Sequence, residues 1–294
     1  MTKRKEKIKE RAAISRDIGF GKVRVSCSDN GRITKLDLTN AALKGRLHIS
    51  DLTAGLTGLT TLLLGGNFFS GNLSFTSTVT SCSLEFLDLS VNGFSEPLAA
   101  DSLLVSCNKL AYLNLSHNSI PSTTALKFGP SLTQLDLSAN KISDLGILTS
   151  LLSDCRNLNL LNFSSNKLAG KLEISLSSCG SLSALDLSNN NFTGNLAGFD
   201  FGVCGNLSVL NLSHNGFSAT GFPSSLTNCQ SLETLDVSHN AIHIKIPGIL
   251  LGKMTSLRQL VLARNEFFGE IPSELGGICA KLEKLNILQL APSG

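Results

Sequence analysis

Hydrophobic positions recur along this chain in a fixed outline, Leu-x-Leu-x-x-Asn followed two residues later by another apolar residue. Its plainest copy is LDLSNNNFTG, from Leu185 to Gly194. The asparagine falls at Asn67, Asn92, Asn118, Asn140, Asn166, Asn190, Asn215, Asn240 and Asn265, at intervals of 25, 26, 22, 26, 24, 25, 25 and 25 residues. Within a unit, the alternation of Leu185 in, Asp186 out and Leu187 in predicts a short strand with one buried side and one wet side. Stacked about 4.8 Å apart, such strands make one parallel sheet on the inner curve of an arc. The asparagine ends the strand turned inward, where its amide donates to and accepts from backbone groups that the turn leaves unpaired.

A period of this length, held over so many copies, defines an α/β leucine-rich-repeat solenoid. After the asparagine several coils carry a second short segment: LAGKL from Leu168, FTGNL from Phe192 and FGEIP from Phe268. Gly170, Gly194 and Gly269 suit tight bends there, and Pro247 and Pro272 are expected to keep a helix from starting. This Leu-x-Gly-x-Ile-Pro text is of the plant type. It predicts a curved right-handed superhelix whose convex side mixes short strand, 3₁₀ and helical turns.

The units divide the chain into a basic arm (1–24), an irregular first coil (25–45), the repeats (46–285) and a divergent end (286–294). In the first coil Leu36, Leu38 and Leu43 hold the apolar positions, with Ala41 in place of the asparagine. Extra residues precede a strand at Thr76 to Ser81, and one coil is cut short at Lys127 to Pro130. KLEKL, from Lys281, begins another coil, but Leu290 stands where asparagine is due. The last coil is therefore expected to expose core residues such as Leu260 and Leu262.

The formal charge of +3 changes meaning once it is located, because the first seventeen residues carry seven basic and three acidic side chains. The repeats offer no basic stripe to neutralise phosphates, which argues against a nucleic-acid partner. No apolar run is long enough to span a membrane. Six of eight cysteines are periodic: Cys107, Cys155, Cys179, Cys204 and Cys229 lie eleven residues before an asparagine and Cys82 ten, and Cys279 continues the row. Parallel side-chain vectors at equivalent positions are poor geometry for a disulfide, so the row reads as free, buried, small hydrophobes.

Candidate chemistry is sparse. Asn-x-Ser/Thr sequons stand at Asn72, Asn114, Asn162, Asn191, Asn206 and Asn211. Of these, Asn72, Asn191 and Asn206 on turns or convex segments are the better glycan acceptors, and Asn114, Asn162 and Asn211 point from the inner sheet. His117, His214 and His239 each precede a repeat asparagine, the last two in adjacent coils, without a third ligand for a metal. No nucleophile–base constellation, phosphate loop or kinase signature is present, so neither catalysis nor a cofactor is expected. Asp88, Asp136, Asp186 and Asp236 form a polar strip. Outward side chains on the inner face, Phe86, Tyr112, Gln134, Arg258 and Arg264, are the candidate contacts for a protein or peptide.

The segments ALKFGPSLTQLD (Ala125–Asp136), LNLLNFSSNKLAGK (Leu158–Lys171) and FGEIPSEL (Phe268–Leu275) resemble plant leucine-rich-repeat receptor kinases. Among these they are most similar to the amino-terminal half of brassinosteroid-receptor-like ectodomains. The resemblance implies a plasma-membrane receptor with a signal peptide, a cysteine-paired cap, an island that binds the steroid, a membrane span and a kinase. The sequence departs from that plan at both ends. Val25-Ser26-Cys27 matches the second cysteine of the cap, but its partner is missing, and the island, span and kinase would lie beyond Gly294. The expected function is a non-catalytic binding fragment of such a receptor, the steroid being a ligand only of the full-length relative. A truncated product explains the ends, with a short decoy as the alternative. The other class is an independent interaction protein, either an extracellular inhibitor or an intracellular scaffold.

Overall fold

The computed structural model describes residues 24–71, 73, 82–98, 107–121 and 129–287. Most of the basic arm, the insertion at Thr76 to Ser81, the step at Lys127 and Phe128, the sequon at Asn72 and the divergent end from residue 288 lie outside the described residues.

A twelve-stranded sheet runs through the described chain. From Ile33–Asp37 to Lys284–Asn286 each strand pairs in parallel with the equivalent strand of the next coil. Leu185, for instance, lies in register with Leu161 on one side and Leu210 on the other. These central leucines, from Leu62 to Leu260, are buried. Burying each is worth about 1.5–3 kcal/mol, and its covering comes from the coils above and below rather than from its own. Phe94, Phe192, Phe217 and Phe267 fill the space behind the asparagines and are equally buried.

The two ends of the sheet are closed in different ways. Within the irregular first coil, Arg24–Cys27 is a strand antiparallel to Ile33–Asp37, a pairing that the repeat pattern does not predict. The Asn30-Gly31 turn reverses the chain, with Gly31 at φ 77° and Ser28 N–H bonded to Arg32 O at 2.9 Å; glycine is suited to that left-handed backbone. At the other end Leu260 and Leu262 are not exposed as expected but buried, because Lys284–Asn286 pairs over them. Among the described leucines Leu285, 42% exposed, is the one left facing water.

The convex side carries two small parallel sheets, one of Lys44–Arg46 with Phe68–Ser70, the other of Ala169–Lys171, Asn191–Asn195 and Gly216–Ser218. Gly194 belongs to the second: its φ is 121°, and an added Cβ would meet Leu172 O at 3.1 Å. The prolines act in the opposite sense to that expected. Pro247 and Pro272 do not block helices; each directly precedes one, Gly248–Leu251 and the 3₁₀ segment Ser273–Ile278. A ring that fixes φ and lacks an N–H is compatible with a helix start, where that N–H has no partner in any case. The longest of the described helices, Leu145–Ser153, follows from Asp144, whose carboxylate accepts the Gly146 N–H, and from Ile147, Leu148, Leu151 and Leu152 on its buried face.

The cysteine row is also corrected. Cys82–Cys107, Cys155–Cys179 and Cys204–Cys229 are disulfides between consecutive coils, with Cα separations of 4.7–4.8 Å. The argument from parallel side-chain vectors fails because these cysteines lie ahead of the strands rather than in the pleated sheet. Their spacing is one that a disulfide spans. Met254 interrupts the row, and Cys27 and Cys279 are exposed thiols.

Candidate functional site

The inner sheet is positioned by its asparagines. Asn190 Nδ2 donates to Leu187 O in its own turn and to Phe163 O of the preceding coil, at 3.1 and 3.0 Å. Its Oδ1 accepts the Leu168 N–H of that preceding coil at 3.1 Å. The same three bonds recur from Asn67, on Leu64, Leu38 and Leu43, to Asn265, on Leu262, Val237 and Ile242. Each amide thus bonds its own turn and the coil before it.

The residue ahead of each asparagine adopts a left-handed backbone, which sequence reading did not anticipate. Val91, His117, Ala139, Ser165, Asn189, His214, His239 and Arg264 all have φ between 51° and 56°, and only Gly66 supplies a glycine. The conformation is imposed by the bonded turn, against side-chain preference.

Outward from the sheet, aspartate and asparagine alternate at one position of successive strands: Asp88, Asn114, Asp136, Asn162, Asp186, Asn211 and Asp236. Asn162 donates to Asp136 Oδ2 at 3.3 Å and Asn211 to Asp186 Oδ2 at 3.2 Å. Asn114, Asn162 and Asn211 also accept the N–H of the serine two residues on, at 3.0–3.1 Å. Carboxylates are thereby kept two coils apart, and the inner-sheet sequons are part of the strip. By contrast, Asn191, at the start of a convex strand, and Asn206, on a turn, are exposed, although Asn206 Nδ2 also donates to Gly180 O.

Of the candidate contacts, Phe86, Tyr112 and Gln134 are brought side by side on adjacent strands. The rings of Phe86 and Tyr112 stack at 5.7 Å and 24°, and Phe86 is 47% exposed. Burial pushes the Tyr112 hydroxyl pKa up; its hydrogen bond with Asn114 opposes this, and the Asp88 and Asp136 carboxylates add to it. Arg258 and Arg264 lie toward the far end, next to the fifth strand on from that of Gln134, roughly 24 Å away. Arg258 is engaged by Glu283 at 2.6 Å and Glu233 at 3.7 Å, so it serves the stack as much as any ligand.

His214 and His239 stack with ring centroids 3.8 Å apart, and His117 lies apart from them. Burial lowers the His239 pKa, the positive charges of His214 and Arg264 lower it further, and Asp236 partly offsets them. Among the described residues no three His, Cys, Asp or Glu side chains gather as a metal would require. None of the described helices is long and apolar enough to cross a membrane.

This geometry is that of a leucine-rich-repeat protein. Leucine-rich-repeat family models match residues 130–149 and 228–243, and 181–199, 206–229 and 256–278. More particularly, the chain is 43% identical over 107 residues to Receptor-like protein kinase BRI1-like 3 of Arabidopsis thaliana, covering 36% of this chain and 9% of that relative. Against the Brassinosteroid LRR receptor kinase BRL3 of Oryza sativa subsp. japonica it is 40% identical over 111 residues, 37% of this chain and 9% of the relative. The chain thus spans about a tenth of the length of the curated relatives it matches. In structure it is similar to the leucine-rich-repeat ectodomain of the Arabidopsis receptor kinase HAESA in complex with a peptide hormone. The TM-score there is 0.66 at 25% identity, over 90% of this chain and 48% of that one. The chain is homologous over about a third of its length to brassinosteroid-receptor-like plant receptor kinases, on a fold shared with plant receptor ectodomains.

Proposed function

We propose that this chain is a non-catalytic, ligand-binding portion of a plant cell-surface receptor of the brassinosteroid-receptor-like group. Its inner sheet holds a protein or peptide outside the plasma membrane. The observation that carries this reading is the set of three disulfides between consecutive coils of a receptor-like solenoid. Such bonds form and persist in oxidising compartments, and an intracellular scaffold would have no use for them. The similarity to brassinosteroid receptor kinases supports the group, and the HAESA ectodomain, which holds a peptide hormone, supports the kind of ligand. A steroid belongs to the island of the full-length relative, and we assign no steroid contact to these residues.

The test is an epitope tag placed within the repeats at the native locus, with location and cysteine state read together. Tagged protein at the plasma membrane or in the apoplast, with the six row cysteines oxidised, is the expected outcome. Tagged protein in the cytosol with those cysteines reduced would replace this reading by that of an intracellular scaffold.

A further inference from the structure

We infer that the Phe86–Tyr112 pair on the inner sheet is a receptor site for a cationic side chain, and that the partner is an extended peptide segment bearing arginine or lysine. The inference rests on the proposed binding role and specifies the chemistry of the ligand.

Three observations converge on it. The first is an exposed aromatic shelf. Phe86 and Tyr112 stack on adjacent strands between Thr61 and Gln134, with half of Phe86 in contact with water. Other apolar side chains at outward positions of the parallel strands, Leu63, Leu160 and Val209, are half-buried, whereas Phe86 is exposed, and a ring pair left open to water in this way is a place for a ligand.

The second is charge. At the outward strand positions from Thr61 to Asp186 the ionised groups are Asp88, Asp136 and Asp186, and none is Lys or Arg. Asp88 and Asp136 flank the shelf closely enough that both raise the Tyr112 pKa. Glu85, exposed just ahead of Phe86, adds a further negative charge.

The third is the form of the polar strip. Its asparagines donate to its carboxylates, Asn162 to Asp136 and Asn211 to Asp186, and no basic side chain takes that part along this stretch. The carboxylates keep their charge uncompensated by any cation of the strands they stand on. A guanidinium or ammonium group laid over the rings would meet the negative π-face and the two aspartates together, a combination that favours a cation over a neutral or anionic side chain. The parallel strands present this site in an open trough, which admits an extended chain.

The molecule carries its own reporter. Tyr112 is its single tyrosine and it has no tryptophan, so emission excited near 280 nm comes from the proposed site alone. The full chain, immobilised, is panned against a random dodecapeptide library. Selected peptides are then synthesised with their basic residues intact or replaced by neutral citrulline or norleucine, and titrated while Tyr112 emission is read. The expected result is enrichment of Arg or Lys, a saturable change in Tyr112 emission, and about tenfold weaker binding for the neutral analogue. Phe86→Ala should abolish the enrichment. Asp88→Asn combined with Asp136→Asn should weaken the basic peptide by a similar factor without unfolding the chain, because Asn114 and Asn162 already occupy that position in neighbouring coils.

Selected peptides lacking basic residues, or basic peptides indifferent to Phe86→Ala, would overturn the inference and leave the broader binding role standing. Failure to select any peptide would overturn both.

Discussion

At the scale of single residues, the repeat depends on an amide with four backbone partners, for Asn190 the carbonyls of Phe163, Leu187 and Ser188 and the N–H of Leu168. Removing it leaves three carbonyls and one N–H without it, and a buried polar group without a partner costs on the order of 1–3 kcal/mol. Asn190→Ala should therefore lower stability by about 3 kcal/mol, read as a shifted urea midpoint. The paired histidines make a second residue-scale prediction. The folded state holds the His239 pKa below its ordinary value of 6.5. Protons consequently bind the unfolded chain more readily, and the contribution of this residue is fully present above about pH 6.5 and is lost as pH falls toward the lowered value. Urea unfolding from pH 7.5 to pH 5 should show declining stability, and His239→Asn should flatten that part of the profile. Asparagine is suited to the left-handed backbone there, as Asn189 shows in another coil.

At the scale of the element, the sequons fall into two kinds with different fates, those on the inner strands and those on the convex side. An oligosaccharide on Asn162 or Asn211 would displace an amide that serves the carboxylate of the neighbouring strand. Secretion from a plant host followed by glycopeptide mapping should find sugar on Asn191 and Asn206, and none on Asn162 or Asn211. The coil's strand and asparagine were legible in the sequence because local alternation sets them, and Phe86, Tyr112 and Gln134 could be read as outward by the same rule. Other features were not legible because they depend on geometry between coils. The residue before each asparagine varies from Val91 to His239, so no residue type announces the left-handed turn. Arg258 read as a free contact residue because its carboxylates, Glu233 and Glu283, come from the coils on either side. Pro247 and Pro272 read as helix breakers because the rule for helix interiors was applied to helix starts.

At the scale of the whole molecule, the cysteine row fastens coils in twos. Cys155–Cys179 and Cys204–Cys229 each close a loop between neighbours, while the joint between Cys179 and Cys204 is left to packing and hydrogen bonds. Removing one bond by Cys155→Ser with Cys179→Ser should cost about 3 kcal/mol, measured by chemical unfolding under oxidising conditions. Under reducing conditions the difference between the variant and the parent should vanish, because the parent then lacks the same link.

The asparagine amide also has a bearing on how the molecule is made. A ribosome delivers the coils in order, and the Leu168 N–H finds its acceptor only when Asn190 has emerged. Every turn is thus completed by residues translated about one repeat later, so the newest coil on a growing chain is always unfinished. Assembly proceeds as a ratchet, each step held by the next, and a pause in synthesis leaves only the leading edge unsealed.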